Sequence, residues 1–348
     1  MKILLWTAIS FILMPTAVSA QPIQKENVKI VRSASKNKID IYCGGEIFTS
    51  FLFPDTTEKP ILFPVRAANG TTVTRGFPIA TRAGEPTDHP HHSGVWFTFE
   101  NVNGLDFWNN SYAIPPEKKD KYGWIKTDSV TFEYGDSVGN LAYHAKWTNQ
   151  QNDVLLEENT KLIFTCAPGQ RIIDRITILK ARIPVTFNDA KDGMYGIRLA
   201  HELQIPSKED EKYSDNNGNM TIVKKGQDSI ASGNYVTSEG KAGDDAWSSR
   251  ARWCKVFAKM GNDSVSVTII DHPANVNYPT FWHARGYGLF AANPLGEKVF
   301  TNGTSYTNLS LQPGESVTFR FRMVIDNGAE TISPAALNQL ADEFAQMK

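Results

Sequence analysis

Three observations predict an all-β fold, a large antiparallel β-sandwich with a short C-terminal helix. Apolar and polar residues alternate in several runs, turn residues separate those runs, and one helical periodicity lies near the C-terminus. The alternation is clearest where Val317, Phe319, Phe321, Met323 and Ile325 interleave with Thr318, Arg320, Arg322 and Val324. Strand side chains point alternately to two faces, so this run has one apolar face and one mostly polar face.

In chain order, the first twenty residues read as an export signal. Lys2 precedes an apolar run from Ile3 to Met14, Pro15 breaks it, and Val18-Ser19-Ala20 places small side chains at the cleavage positions. Cleavage after Ala20 leaves 348 − 20 = 328 residues and predicts a periplasmic or secreted protein. Residues 21–348 read as a single β-sandwich domain. Its strands include Lys38–Cys43, Val95–Phe99, Val130–Tyr134, Leu162–Cys166, Arg171–Leu179 and Val265–Ile270. Gly44-Gly45, Asn69-Gly70, Pro168-Gly169, Gly261-Asn262 and Pro313-Gly314 supply the turns. The polar stretch from Ser207 to Asn219 reads as a loop or insertion within that domain. A helix is expected over 333–347, with Ser333 as N-cap, Pro334 at its first position, and Leu337, Leu340, Ala341 and Phe344 on one face.

The chain has 36 basic and 37 acidic residues, and losing Lys2 with the signal gives 35 − 37 = −2. No basic block stands out, so the footprint of a nucleic-acid binder is absent. After the signal no apolar run approaches about 18 residues, which predicts no integral membrane span. Cys43, Cys166 and Cys254 are too few for a disulfide scaffold; three buried thiols are expected, with one bridge as the alternative.

Four stretches concentrate chemistry. In "DHPHHSGVWF" (Asp88 to Phe97), three of the seven histidines fall within four residues. An extended backbone there puts His89 and His91 on one side and His92 on the other. Two imidazoles from one segment with a distant third ligand can hold a metal, and one imidazole oriented by a neighbour can act as a general acid or base. A polar loop whose histidines cap backbone groups is the plainer alternative. "DHPANVNYPTFWHARGYGLFAANPLG" (Asp271 to Gly296) brings Asp271, His272, Trp282, His283 and Arg285 together with aromatics. An indole to stack and ions to fix hydroxyls suit a polyhydroxylated ligand, whereas a plain strand end pairs Arg285 with a surface carboxylate. In "KDGMYGIRLAHE" (Lys191 to Glu202), Arg198 sits inside an apolar strand, where an unpaired charge is costly, so it should meet a carboxylate or a ligand anion. Asp192 reads there as a turn residue. In "NGLDFW" (Asn103 to Trp108), the Asn-Gly turn makes Asp106 and Trp108 emerge on one face.

These motifs, with "RARWC" from Arg250 to Cys254, resemble the bacterial PmoA-like family over roughly Pro60 to Gly328. The resemblance implies a galactose-mutarotase-like supersandwich and exported proteins of sugar catabolism. The label itself implies a copper-dependent methane oxygenase, which the lack of a membrane span argues against.

The leading expectation is an exported saccharide-active enzyme that cleaves or epimerises a sugar or sugar derivative. Its catalytic residues are His91, His92 and His283, and its substrate-binding residues are Trp96, Asp106, Trp108, Arg198, Trp282 and Arg285. One of His91 and His92 should lie within side-chain reach of His283. The alternatives are a metal-dependent oxidoreductase and a non-catalytic carbohydrate-binding module. In the former, His89, His91, Asp271 and His272 hold a divalent metal such as copper, iron or zinc. The expected partner is a small-molecule saccharide.

Overall fold

The computed structural model describes residues 25–35, 37–214, 220–226 and 228–347. The expected export signal lies outside the described residues, as does 215–219 of the polar stretch. The chain first lays down β1 (Val28–Arg32), β2 (Lys38–Cys43), β3 (Glu46–Leu52), β4 (Ile61–Leu62) and β5 (Val95–Phe99). Longer strands follow: β6 (Trp124–Tyr134), β7 (Val138–Thr148), β8 (Val154–Ala167) and β9 (Gln170–Ala181). Next come β10 (Val185–Thr186), β11 (Gly193–Arg198), β12 (Glu211–Ser214), β13 (Met220–Val223) and β14 (Asn234–Thr237). The last are β15 (Trp253–Met260), β16 (Asp263–Asp271), β17 (Phe281–Ala284), β18 (Leu289–Asn293), β19 (Ser310–Leu311) and β20 (Ser316–Gly328). The helices are α1 (Glu297–Phe300) and α2 (Pro334–Ala345).

Among the described residues these form two eight-stranded sheets, ordered β1-β2-β3-β4-β5-β11-β18-β17 and β14-β15-β16-β20-β9-β8-β7-β6. The pairs β10-β19 and β12-β13 stand apart, and the described part of the polar stretch contributes the strand β12, which pairs with β13 beyond it.

The sheets pack face to face because each presents an apolar stripe. Phe97 meets Phe319 at 5.9 Å between ring centroids, Tyr195 stacks on Phe321 at 5.4 Å, and Phe51 stacks on Tyr143 at 4.9 Å. Phe319, Phe321, Met323 and Ile325 are fully buried on β20, as the alternation predicts. A disulfide between Cys43 on β2 and Cys166 on β8 ties the two sheets together, and Cys254 is a buried thiol. This corrects the expectation of three thiols.

The helix starts as predicted, with the Ser333 hydroxyl accepting from Ala336 N at 3.2 Å. It buries Leu337, Ala341 and Phe344 against Ile172, Trp253, Ile270 and Val324 on the outer face of the second sheet. Arg322, expected on a polar outer face, is therefore covered and pairs with Asp174 at 2.6 and 2.8 Å. Burial without that pair would be costly.

Candidate functional site

The outer face of the first sheet carries the chemistry. Register places Trp96 opposite Gly196, Gly196 opposite Ala291, and Ala291 opposite His283. These residues form one rung across β5, β11, β18 and β17, and all point away from the inter-sheet core. The two small residues in its middle leave room above the backbone. A Cβ on Gly196 would stand 2.9 Å from the Trp108 ring and 3.1 Å from the Trp96 ring, so glycine is what lets both indoles lie over the sheet.

Trp96 is the base of a stack of four rings. His92 lies on Trp96 at 5.3 Å and 14°, His89 on His92 at 5.0 Å and 4°, and Tyr287 on His89 at 5.5 Å and 7°. His91 meets His92 edge-on at 4.2 Å. The segment can gather three imidazoles because it is a turn rather than an extended strand. His89 has φ 46°, and His92 N donates to His89 O at 3.0 Å. A left-handed histidine is uncommon and marks a conformation that its surroundings impose.

The surroundings here are two buried arginines on one carboxylate. Arg75 donates to Asp88 Oδ1 at 2.7 Å, and Arg198 donates to Oδ1 at 2.9 Å and Oδ2 at 3.2 Å. Both arginine side chains are wholly buried, whereas Asp88 is 38 % exposed. The carboxylate Oδ2 in turn bonds His89 Nδ1, leaving Nε2 as the free ring nitrogen. Arg198 Nη1 lies 3.2 Å from His92 Nδ1. Burial alone would raise the Asp88 carboxyl, but the His89 hydrogen bond and the Arg198 and Arg75 charges hold it well below the usual range. Burial, then the charges of Lys59 and its neighbours, pushes His91 down to about 2. Burial also holds His92 well below its ordinary value, so both rings are neutral.

The far end of the rung centres on His283, which is buried with Nδ1 3.4 Å from Asp192 Oδ1 and no hydrogen bond at that nitrogen. Burial, with Lys191 and Arg285 nearby, lowers it to about 3. Trp247 touches His283 edge-on at 4.7 Å and carries the Arg285 guanidinium at 4.6 Å from its ring. Asp106, Asp192 and Glu100 interact, and burial raises all three carboxyls. Lys59 lies beneath Trp96, donating to Trp108 O at 2.8 Å, and burial lowers it to about 8.

The structure joins Asp88–His92 to the Asp271–Gly296 segment through Tyr287, which stacks on His89 and lies under Arg198 at 4.8 Å and Arg285 at 5.7 Å. It does not join them through His283. Three strand spacings, about 14 Å of backbone, separate Trp96 from His283, and among the described residues no ring contact or hydrogen bond links His283 to His91 or His92. Trp282 is a further correction. It faces the inter-sheet core and donates from Nε1 to Ala251 O at 3.1 Å, because strand alternation gives the outer face to His283 instead. Trp96 and Trp108 are buried beneath the rings and buttress them rather than forming open walls. Asp106 lies near Asp192 and Arg285 beside Tyr287, and Arg198 meets the carboxylate its burial demands.

Asp271 and His272 do not join His89 and His91 as a metal site. Asp271 accepts from Asn275 at 2.7 Å and Thr280 N at 2.8 Å, while His272 bonds Met347 O at 3.1 Å below α2. Among the described residues no group of three or more His, Cys, Asp or Glu side chains is arranged to hold a metal ion. Tyr287, Trp247, Arg75 and Lys59 escaped sequence reasoning. Their common signal is a charge or large ring inside a turn-rich segment, which has no period to reveal it. A groove of about 770 Å³ on the outer face of the second sheet is lined by Ile163, Ile176 and Ile178. Its imidazole, His144, is paired with Asp128, so the groove lacks this chemistry.

A family model matches residues 38–342. The chain belongs to the family of unknown function DUF6807. That family, rather than the PmoA-like label, is the one the comparison shows. No curated protein matches the chain. Among solved structures, it is similar to a family 36 α-galactosidase from Geobacillus stearothermophilus, at 9% identity and a TM-score of 0.40. That match covers 87% of this chain and 41% of the galactosidase, so the chain spans about two fifths of that enzyme's length. A galactose 1-epimerase from Lactobacillus acidophilus matches at 10% identity and a TM-score of 0.36, covering 88% of this chain and 99% of the epimerase. A glycoside hydrolase family 97 enzyme from Pseudoalteromonas sp. matches at 10% identity and 0.37, covering 87% and 36%. Likeness this distant carries no statement about activity. The two-sheet architecture rests on the strand pairings themselves.

Proposed function

We propose that this chain is an exported saccharide-active enzyme whose acid–base group is the Asp88–His89 pair. The observation that carries the reading is the clamp on Asp88: two buried guanidiniums fix the carboxylate, and the carboxylate fixes one ring nitrogen of His89. An imidazole held at Nδ1 by a carboxylate keeps one tautomer and moves protons at Nε2. Sugar C–O cleavage or epimerisation needs such a group beside the substrate. His92 acts as a positioning residue, wedged under His89 and held by Arg198, and His91 supplies a neutral ring at its edge. His283 and Asp192 border the far side. A carbohydrate-binding module would need the aromatic faces but not this oriented imidazole. Export is supported by the Cys43–Cys166 disulfide, since such bonds persist in oxidising compartments.

The test is turnover across a panel of oligosaccharides and glycosides. His89→Gln should lower it roughly 10²–10⁴-fold while the melting temperature stays near wild type. Unchanged turnover in that variant would end the proposal.

A further inference from the structure

Arg285 differs from the other arginines near this rung in that its guanidinium has neither an ion pair nor a hydrogen bond among the described residues. Arg75 and Arg198 share Asp88, and Arg250 donates to Pro279 O and Asn277. The Arg285 guanidinium makes no ion pair and donates no hydrogen bond to any described residue. Instead it lies 4.6 Å over the Trp247 ring and 5.7 Å from the Tyr287 ring. Two aromatic neighbours fix the plane of the group and leave its N–H edge uncommitted, and they attract its charge without neutralising it. The same wall already carries surplus positive charge, because two guanidiniums share the single Asp88 carboxylate.

We propose that the saccharide bound in this cleft carries a carboxylate, and that Arg285 receives it. This rests on the saccharide reading above and adds the substrate's charge to it. A rigid planar fork matches a carboxylate with two parallel hydrogen bonds. The substrate class is therefore uronic acids and the oligosaccharides that contain them. Tyr287 stacks on His89, so a carboxylate on Arg285 holds the sugar ring beside the oriented imidazole.

Calorimetric titration of the full chain with glucuronate- and galacturonate-containing disaccharides, their methyl esters, the neutral disaccharides and glucose 6-phosphate tests this. The free acids should bind at least tenfold more tightly than their esters, in which a neutral methoxy group replaces the charged oxygen. Arg285→Gln should erase the preference, and Arg285→Lys should keep part of it, with melting curves confirming that both variants fold. Equal affinity for acid and ester, or a preference that survives Arg285→Gln, overturns the inference. So does an Arg285-dependent preference for the sugar phosphate. Binding of the neutral disaccharides without gain from the acid removes this inference alone. Failure of every saccharide to bind removes the underlying reading as well.

Discussion

Asp88-His89-Pro90 and Asp271-His272-Pro273 are the same three residues in two environments. In the first, the carboxylate faces two buried guanidiniums and bonds its own neighbour's imidazole. In the second, the carboxyl at the end of β16 is 2 % exposed and has only neutral donors, Asn275 and the Thr280 amide. The His272 ring turns away to take Ala274 N at 3.0 Å and to bond Met347 O, packing edge-on against Phe344. The carboxyls shift in opposite directions. His89 and the arginine charges overcome burial at Asp88, while burial outweighs the neutral hydrogen bonds at Asp271 and lifts it to about 7. A tripeptide therefore does not specify a role. The charges that the fold brings to it do.

The largest expected effect breaks the first environment. Asp88→Ala leaves Arg75 and Arg198 buried against each other, and stability should fall by about 2–4 kcal/mol, less than for a fully enclosed pair because Asp88 is 38 % exposed. Thermal denaturation checks it. A variant that melts with the wild type would mean the clamp contributes orientation only.

The second environment makes a pH-dependent contribution of the opposite sign. Below about pH 4 the Asp271 carboxyl is protonated in both folded and unfolded chains, so its contribution to stability is fully present. As pH rises towards about 7 the unfolded chain releases its proton before the folded one does, and that contribution is lost. Relative to Asp271→Asn, the wild type should lose about 3 kcal/mol between pH 4 and pH 7. Using the difference between the two curves cancels the opposing slope from His91 and His283, whose lowered values act in every variant. Parallel curves would show that Asp271 is ionised in the fold.

The smallest effect separates structure from chemistry. His272→Ala removes the bond to Met347 O and the contact with Phe344, and should cost about 1 kcal/mol. Hydrogen exchange along α2 should quicken while saccharide turnover stays unchanged. Loss of turnover with α2 protection intact would place His272 in the chemistry after all.

The alternation on β20, the N-cap at Ser333 and the Asn103-Gly104 turn are local patterns, and sequence by itself determined them. Strand side-chain period, capping and turn geometry each depend on neighbours a few residues away. The Asp88–His92 cluster and the need of Arg198 for a carboxylate were visible for the same reason: crowding of imidazoles and a charge among apolar residues are local anomalies. Tertiary structure alone decided that the carboxylate was Asp88, that Trp282 entered the core while His283 faced the cleft, and that Cys43 met Cys166. It also decided that the two Asp-His-Pro copies diverged. Each of these depends on strand order and register, which bring together residues more than a hundred positions apart, as in the 110-residue gap between Asp88 and Arg198. Local periodicity says which face a side chain takes. Only sheet pairing says what stands across from it.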